Sequence, residues 1–135
     1  MRIKSRSIEK TILRAIKTFP AVVLTGPRQS GKTTVLKKLF AKTHTFISLE
    51  DPDIRIRAKN DPRIFLKQYP PPVVIDEIQY VPELLLYIKS RIDHDRKPGQ
   101  WLITGSQNFA LMHNVTESLA GRAAILSLLP FSLAE

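Results

Sequence analysis

Two glycines, Gly26 and Gly31, stand five residues apart in "LTGPRQSGKTTVLKKLF" (Leu24–Phe40), and Lys32 and Thr33 follow at once. The chain has only five glycines, and two of them fall here, between a short apolar run and a helical pattern. This is the Gly-x-x-x-x-Gly-Lys-[Ser/Thr] spacing of a phosphate-binding loop. Glycine reaches unusual dihedrals and allows close approach of the backbone. Successive N–H groups can then wrap an anion. A helix that follows such a loop aims its free N–H groups and the positive end of its dipole at the same anion. Lys32 adds a full charge, and the Thr33 hydroxyl is the type that holds Mg²⁺ beside a polyphosphate. The candidate nucleotide contacts are Gly26, Pro27, Arg28, Gln29, Ser30, Gly31, Lys32, Thr33 and Thr34.

A magnesium–phosphate site needs a carboxylate partner. "VVIDE" supplies one, as a hydrophobic strand that ends in Asp76 with Glu77 next. Asp76 is the candidate for the Mg²⁺ shell with Thr33. Glu77 is the candidate general base that polarises an attacking water. Adjacent acids are costly unless a cation or hydrogen bonds offset their repulsion. A pair that caps the next segment or faces solvent is the plainer alternative. The pair favours hydrolysis by water over transfer to a small acceptor. Further along, "WLITGSQN" ends an apolar run with Thr104, Ser106 and Asn108. One of these could hydrogen-bond a γ-phosphate or a water, with Ser106 the candidate carried forward, and spacing does not choose among them. A simple turn at Gly105 is the other reading. Arg122 follows Gly121 and could reach a neighbouring subunit's nucleotide, or be a surface arginine or a charge that complements a helix dipole. Gln79, close behind the acids, could orient water, couple to a ligand site, or simply bond a helix start.

These residues need a frame that brings them together. "SIEKTILRAIKTF" has helical spacing, with Ser7 a candidate N-cap and Pro20 its end. "AVVLT" (Ala21–Thr25), "TFISLE" (Thr45–Glu50), "VVID", "WLITGS" and "AAILSLL" read as strands, most of them continuous apolar runs. "DPDIRIRAKN" and "DPRIFLKQ" each open with Asp-Pro, a helix-start signal. Pro70, Pro71 and Pro72 enforce an extended entry into the third strand. "PELLLYIKSRID" and "ALMHNVTESLAGR" read as helices, the second stopped at Gly121. Strands that alternate with helices and read as apolar runs predict an α/β fold, a parallel sheet with helices on both faces. Ligands bind such sheets at the carboxyl ends of the strands, where each polar cluster above falls.

Composition bounds the rest. The 135 residues suit one domain with one core. With no cysteine, disulfides and thiolate metal sites are excluded. His44, His94 and His113 are too dispersed to read as a local metal site. No apolar run approaches a membrane span, and the basic N-terminus has no apolar core after it, so the expected location is cytoplasmic. Residues 1–50 carry eleven Lys/Arg against two Asp/Glu, while residues 51–135 carry ten of each. Such a skew can mark a nucleic-acid face, or it is simply the polar side of helices that carry Lys37, Lys38 and Lys42.

Taken together, "LTGPRQSGKTT", "VVIDEIQYVPELLLYIKSRID", "LITGSQNFAL" and "ESLAGRAAILSLLPFSLAE" resemble the bacterial and archaeal AAA+-type predicted ATPases, whose C-terminal part is a domain of unknown function. The resemblance covers nearly the whole chain. It implies a P-loop NTPase fold with sheet order 5-1-4-3-2 and ATP and Mg²⁺ as ligands. It also implies Walker A at Gly26–Thr33, Walker B acids at Asp76 and Glu77, sensor 1 in the Thr104–Ser106 end, and a finger-like arginine at Arg122. Relatives of this kind continue past the fifth strand into a lid or winged-helix region and a further domain. Residues 1–135 therefore read as the nucleotide-binding core alone. The expected function is Mg²⁺-dependent ATP hydrolysis that drives a conformational switch, in a homo-oligomer if Arg122 acts across subunits. The alternatives are a nucleic-acid-binding module gated by nucleotide, and a core that binds nucleotide without turnover.

Overall fold

Helix and strand alternate along the chain, and local chemistry explains most of the boundaries. The computed structural model describes residues 2–27 and 31–128. The strands are β1 (Ala21–Thr25), β2 (Thr45–Ser48), β3 (Val73–Asp76), β4 (Trp101–Gly105) and β5 (Ala123–Ser127). The helices are α1 (Arg2–Ala15), α2 (Lys32–Phe40), α3 (Pro52–Asn60), α4 (Pro62–Gln68), α5 (Leu84–His94) and α6 (Phe109–Leu119), and a 3-10 turn spans Ile78–Tyr80. Both Asp-Pro signals work as expected. Asp51 caps α3 by accepting from the Asp53 N–H, and Asp61 caps α4 by accepting from the Ile64 N–H.

The five strands form one sheet in the order β2-β3-β4-β1-β5, which is the implied 5-1-4-3-2 order read from the other edge. Every pairing is parallel. Side chains alternate across a strand with period two, and the core divides accordingly. Val22, Leu24, Val74 and Leu102 pack with Ile12 and Ala15 of α1 and Val35, Leu36 and Phe40 of α2. Ala21, Val23, Val73, Ile75, Trp101 and Ile103 pack with α3, α4, α5 and α6 on the other face. Both faces are buried under helices, which is why the central strands read as unbroken apolar runs. No helix among the described residues is long and apolar enough to cross a membrane.

Two boundaries and the burial of one strand differ from the sequence reading. α1 starts at Arg2, not after Ser7, whose carbonyl sits inside the helix and accepts from Thr11 Oγ1 at 2.9 Å. Nothing in "RIKSR" breaks a helix, and Arg, Ile and Lys extend it at little cost. β2 stops at Ser48, because the Glu50 N–H turns back onto Ser48 Oγ at 3.2 Å. β5, at the sheet edge, is only half-buried although its sequence is apolar.

Gly121 terminates the α6 segment at φ 75°, and an added Cβ there would meet nothing within 4 Å. The requirement is conformational, not steric. Gly121→Ala is expected to destabilise the fold by about 1–2 kcal/mol, the cost of a left-handed non-glycine residue. Urea denaturation checks this as a lower midpoint at unchanged slope.

Candidate functional site

The parallel register brings the carboxyl ends of the strands to one edge of the sheet. Thr25 is level with Gly105, Ser48 with Asp76, and Ile75 with Ile103, which puts Asp76 beside Thr104. β1 runs into Gly26, whose N–H donates to the Gly105 carbonyl at 3.3 Å. Arg28, Gln29 and Ser30 lie outside the described residues. The loop returns at Gly31, with φ 85° and ψ 20°, a left-handed conformation that favours glycine. Gly31 is the N-cap of α2 and offers no side-chain cap. The first N–H groups of that helix therefore depend on another acceptor, and an anion at the positive end of the dipole is a suitable one.

Lys32 is buried, at 3% exposure. Its Nζ donates to the carbonyl of Gly26 at 2.6 Å and more loosely to that of Pro27 at 3.4 Å. Thr33 Oγ1 donates to Asp76 Oδ1 at 2.9 Å. Pro27 and Thr34 face solvent beside them.

The Asp76 carboxylate accepts from three hydroxyls, those of Thr33, Thr104 (2.6 Å, on the same Oδ1) and Ser48 (3.1 Å, on Oδ2). Thr104 is fully buried. Its hydroxyl also accepts from the backbone N–H of Glu77 at 2.9 Å. One threonine of β4 thus ties together the acid that ends β3 and the acid that follows it. This satisfies a buried carboxylate that would otherwise be costly.

Glu77 sits at φ 62° and ψ 56°, and it is the one non-glycine residue at positive φ among the described residues. The left-handed turn ends β3 and breaks the alternation that would send residues 76 and 77 to opposite faces. Strain of this kind, on the order of 1–3 kcal/mol, persists where the surroundings over-determine the conformation. The surrounding structure does so here. Thr104 holds the N–H, the 3-10 turn follows directly, and Arg55 of α3 stacks over Tyr80 at 4.0 Å while donating to the carbonyls of Leu49 and Glu50. The Glu77 side chain, 8% exposed, accepts at Oε1 from Gln79 Nε2 at 2.7 Å.

The three open positions at and after the end of β4 separate cleanly. Thr104 joins the acids. Asn108 caps α6 by accepting from the Leu111 N–H at 2.7 Å. The Ser106 hydroxyl accepts from Asn108 Nδ2 at 2.8 Å, and its backbone N–H donates to Gln79 Oε1 at 3.0 Å. Arg122 is not brought to this edge. Its carbonyl accepts from the Ala21 N–H, at the opposite end of β1, roughly 13 Å of strand away. Its guanidinium forms a two-pronged pair with Asp93, at 2.7 and 3.0 Å. That hydrogen bond holds the Asp93 carboxyl below the usual carboxylate range and raises Arg122 in return.

Sequence reasoning missed Ser48. The available signal was a hydroxyl that closes the short apolar strand "TFIS", but only the β2–β3 pairing shows that it faces Asp76. Among the described residues no group of three or more His, Cys, Asp or Glu could hold a metal. Mg²⁺ does not require one, because in phosphate sites it takes one or two carboxylates together with phosphate oxygens and water. Thr33 and Asp76 offer the hard oxygen donors that fit this chemistry.

Comparison with known proteins agrees with this geometry. Residues 18–135 match the AAA domain family. The chain is 35% identical over 130 residues to uncharacterized proteins of Mycobacterium bovis and Mycobacterium tuberculosis. Each alignment covers 95% of this chain and 29% of the relative, so the chain spans less than a third of the length of these relatives. The Walker-type ATPase of Pyrococcus abyssi shares the fold at a TM-score of 0.59 and 19% identity, over 91% of this chain and 52% of that one. A glycine loop, a buried lysine and an acid pair on a 5-1-4-3-2 parallel sheet, in a chain matched from residue 18 to its last residue, place this protein in the AAA domain family of P-loop nucleotide-binding folds.

Proposed function

We propose that this chain binds ATP with Mg²⁺ and hydrolyses its β–γ phosphoanhydride bond, releasing ADP and phosphate. The observation that carries the reading is the hydrogen-bonded run Thr33–Asp76–Thr104–Glu77, set beside the buried ammonium of Lys32 at the carboxyl edge of the sheet. Lys32 and the backbone N–H groups that open α2 bind the phosphates. Thr33 and Asp76 would hold Mg²⁺, which when bound neutralises charge on the phosphate oxygens. Glu77 takes a proton from the attacking water. Thr104 keeps Asp76 and Glu77 in fixed relation, so the metal-holding and proton-accepting groups move as one unit.

The output of such a cycle is a conformational switch in the segment after β4, which touches Glu77 through Gln79. Arg122 would serve a neighbouring copy's nucleotide in a homo-oligomer, with Asp93 holding the guanidinium until it is engaged. A nucleic-acid role is less well supported. Lys38, part of the basic surface of α2, already pairs with Glu9 at 2.9 Å.

Calorimetric titration with ATP, with Mg²⁺ present or chelated, tests the reading. The expected result is saturable binding with Mg²⁺, weaker binding without it, and phosphate release only with it. Binding that changes little with salt separates a pocketed nucleotide from phosphate-backbone contacts, which weaken steeply as salt rises. A folded chain that takes up no nucleotide overturns the proposal.

A further inference from the structure

We propose that Gln79 is a positioning residue that ties the aim of the Glu77 carboxylate to the segment joining β4 and α6. The proposal rests on the reading of Glu77 as the base. The Gln79 amide uses both ends. Nε2 donates to Glu77 Oε1 at 2.7 Å, and Oε1 accepts from the Ser106 N–H at 3.0 Å. Among the described residues Glu77 Oε2 accepts no hydrogen bond, so the amide occupies one carboxylate oxygen and leaves the other to receive a proton.

The surroundings are shaped for this bridge. Gly105 has an ordinary φ, yet a Cβ there would lie 2.8 Å from Leu111 Cδ2, 2.9 Å from Ile78 Cγ2 and 3.3 Å from Gln79 Oε1. The glycine is therefore explained by close packing against the turn that carries Gln79. At the other end, Ser106 is held by Asn108, and Asn108 caps α6. A displacement of α6 is passed through Asn108 and Ser106 to one end of the amide, and the other end moves the carboxylate. Because the Glu77 backbone is fixed by Thr104 and its left-handed turn, side-chain aim is the freedom that remains. Misplacing a reacting group by an ångström can cost about 100-fold in rate.

The test is steady-state ATP turnover of Gln79→Leu and Gln79→Glu beside ATP affinity by calorimetry. The leucine variant removes both hydrogen bonds at similar size. The glutamate variant retains the acceptor for Ser106 and sets a second carboxylate against Glu77. Both are expected to lower kcat about 10- to 100-fold while ATP affinity stays within about twofold, a split that a merely structural defect does not produce. On the Glu77→Gln background, Gln79→Leu is expected to cause no further loss, because coupled residues are not additive. Wild-type kcat in the glutamate variant overturns the inference, and that variant decides alone if the leucine variant fails to fold. If Glu77→Gln is inactive while both Gln79 variants turn over normally, the positioning role fails and the base survives. If Glu77→Gln turns over normally, both fail.

Discussion

Lys32→Ala is expected to weaken Mg-ATP binding at least about 100-fold while leaving the ligand-free fold no less stable. The two halves of this expectation have one cause. Lys32 is 3% exposed, and the partners of its ammonium among the described residues are the carbonyls of Gly26 and Pro27, with no carboxylate paired to it. Holding a cation there without a counter-ion costs the protein stability. Its removal should therefore raise the melting temperature or leave it unchanged. A polyphosphate in the loop supplies the missing negative charge. Hydrogen bonds to charged groups contribute about 1.5–3 kcal/mol each. Two such bonds are worth at least about 3 kcal/mol, which is a hundredfold or more in the dissociation constant. Calorimetry beside thermal melts separates the possibilities. If affinity is retained, the loop N–H groups suffice and Lys32 is not the electrostatic anchor. If both affinity and melting temperature fall, the lysine is structural.

How much of this site could be read from the chain depends on how local each feature is. The loop lysine and threonine follow from contiguous residues, as do the acids at the end of "VVIDE" and the two Asp-Pro caps. Each is fixed by chemistry within a few positions. Which of the Thr104 and Ser106 hydroxyls faces Asp76 is not local. It depends on β3 pairing with β4 in the register Ile75↔Ile103, which sets the Thr104 hydroxyl against Asp76. Ser48 became visible for the same reason, through the pairing of β2 with β3. The left-handed turn at Glu77 has no sequence signal, because glutamate is a poor choice for positive φ and only tertiary contacts hold it there. The Arg122 pair with Asp93 joins residues on different elements, and an isolated arginine gives no hint of its partner. The two edge strands shared the apolar reading of the central ones, but a strand with one neighbour is exposed along its free side.

Glu77→Gln is the sharper test of chemistry, because it changes one property and spares the rest. Glutamine has nearly the same shape, and its carbonyl oxygen can still accept from Gln79 Nε2, the contact now made at 2.7 Å. The backbone N–H still donates to Thr104, and Asp76 keeps its three hydroxyl donors. Nucleotide and Mg²⁺ binding should therefore stay within about threefold of wild type. What is lost is a carboxylate able to take a proton from water, an effect worth about 10²–10⁴ in rate. Single-turnover measurement of phosphate release, with enzyme in excess over bound ATP, reads this step directly. Slow release at normal affinity assigns the proton to Glu77 and leaves Asp76 as the carboxylate suited to Mg²⁺. Release as fast as wild type would mean that water is activated elsewhere. The strained turn at Glu77 would then serve only to end β3 and present the amide of Gln79.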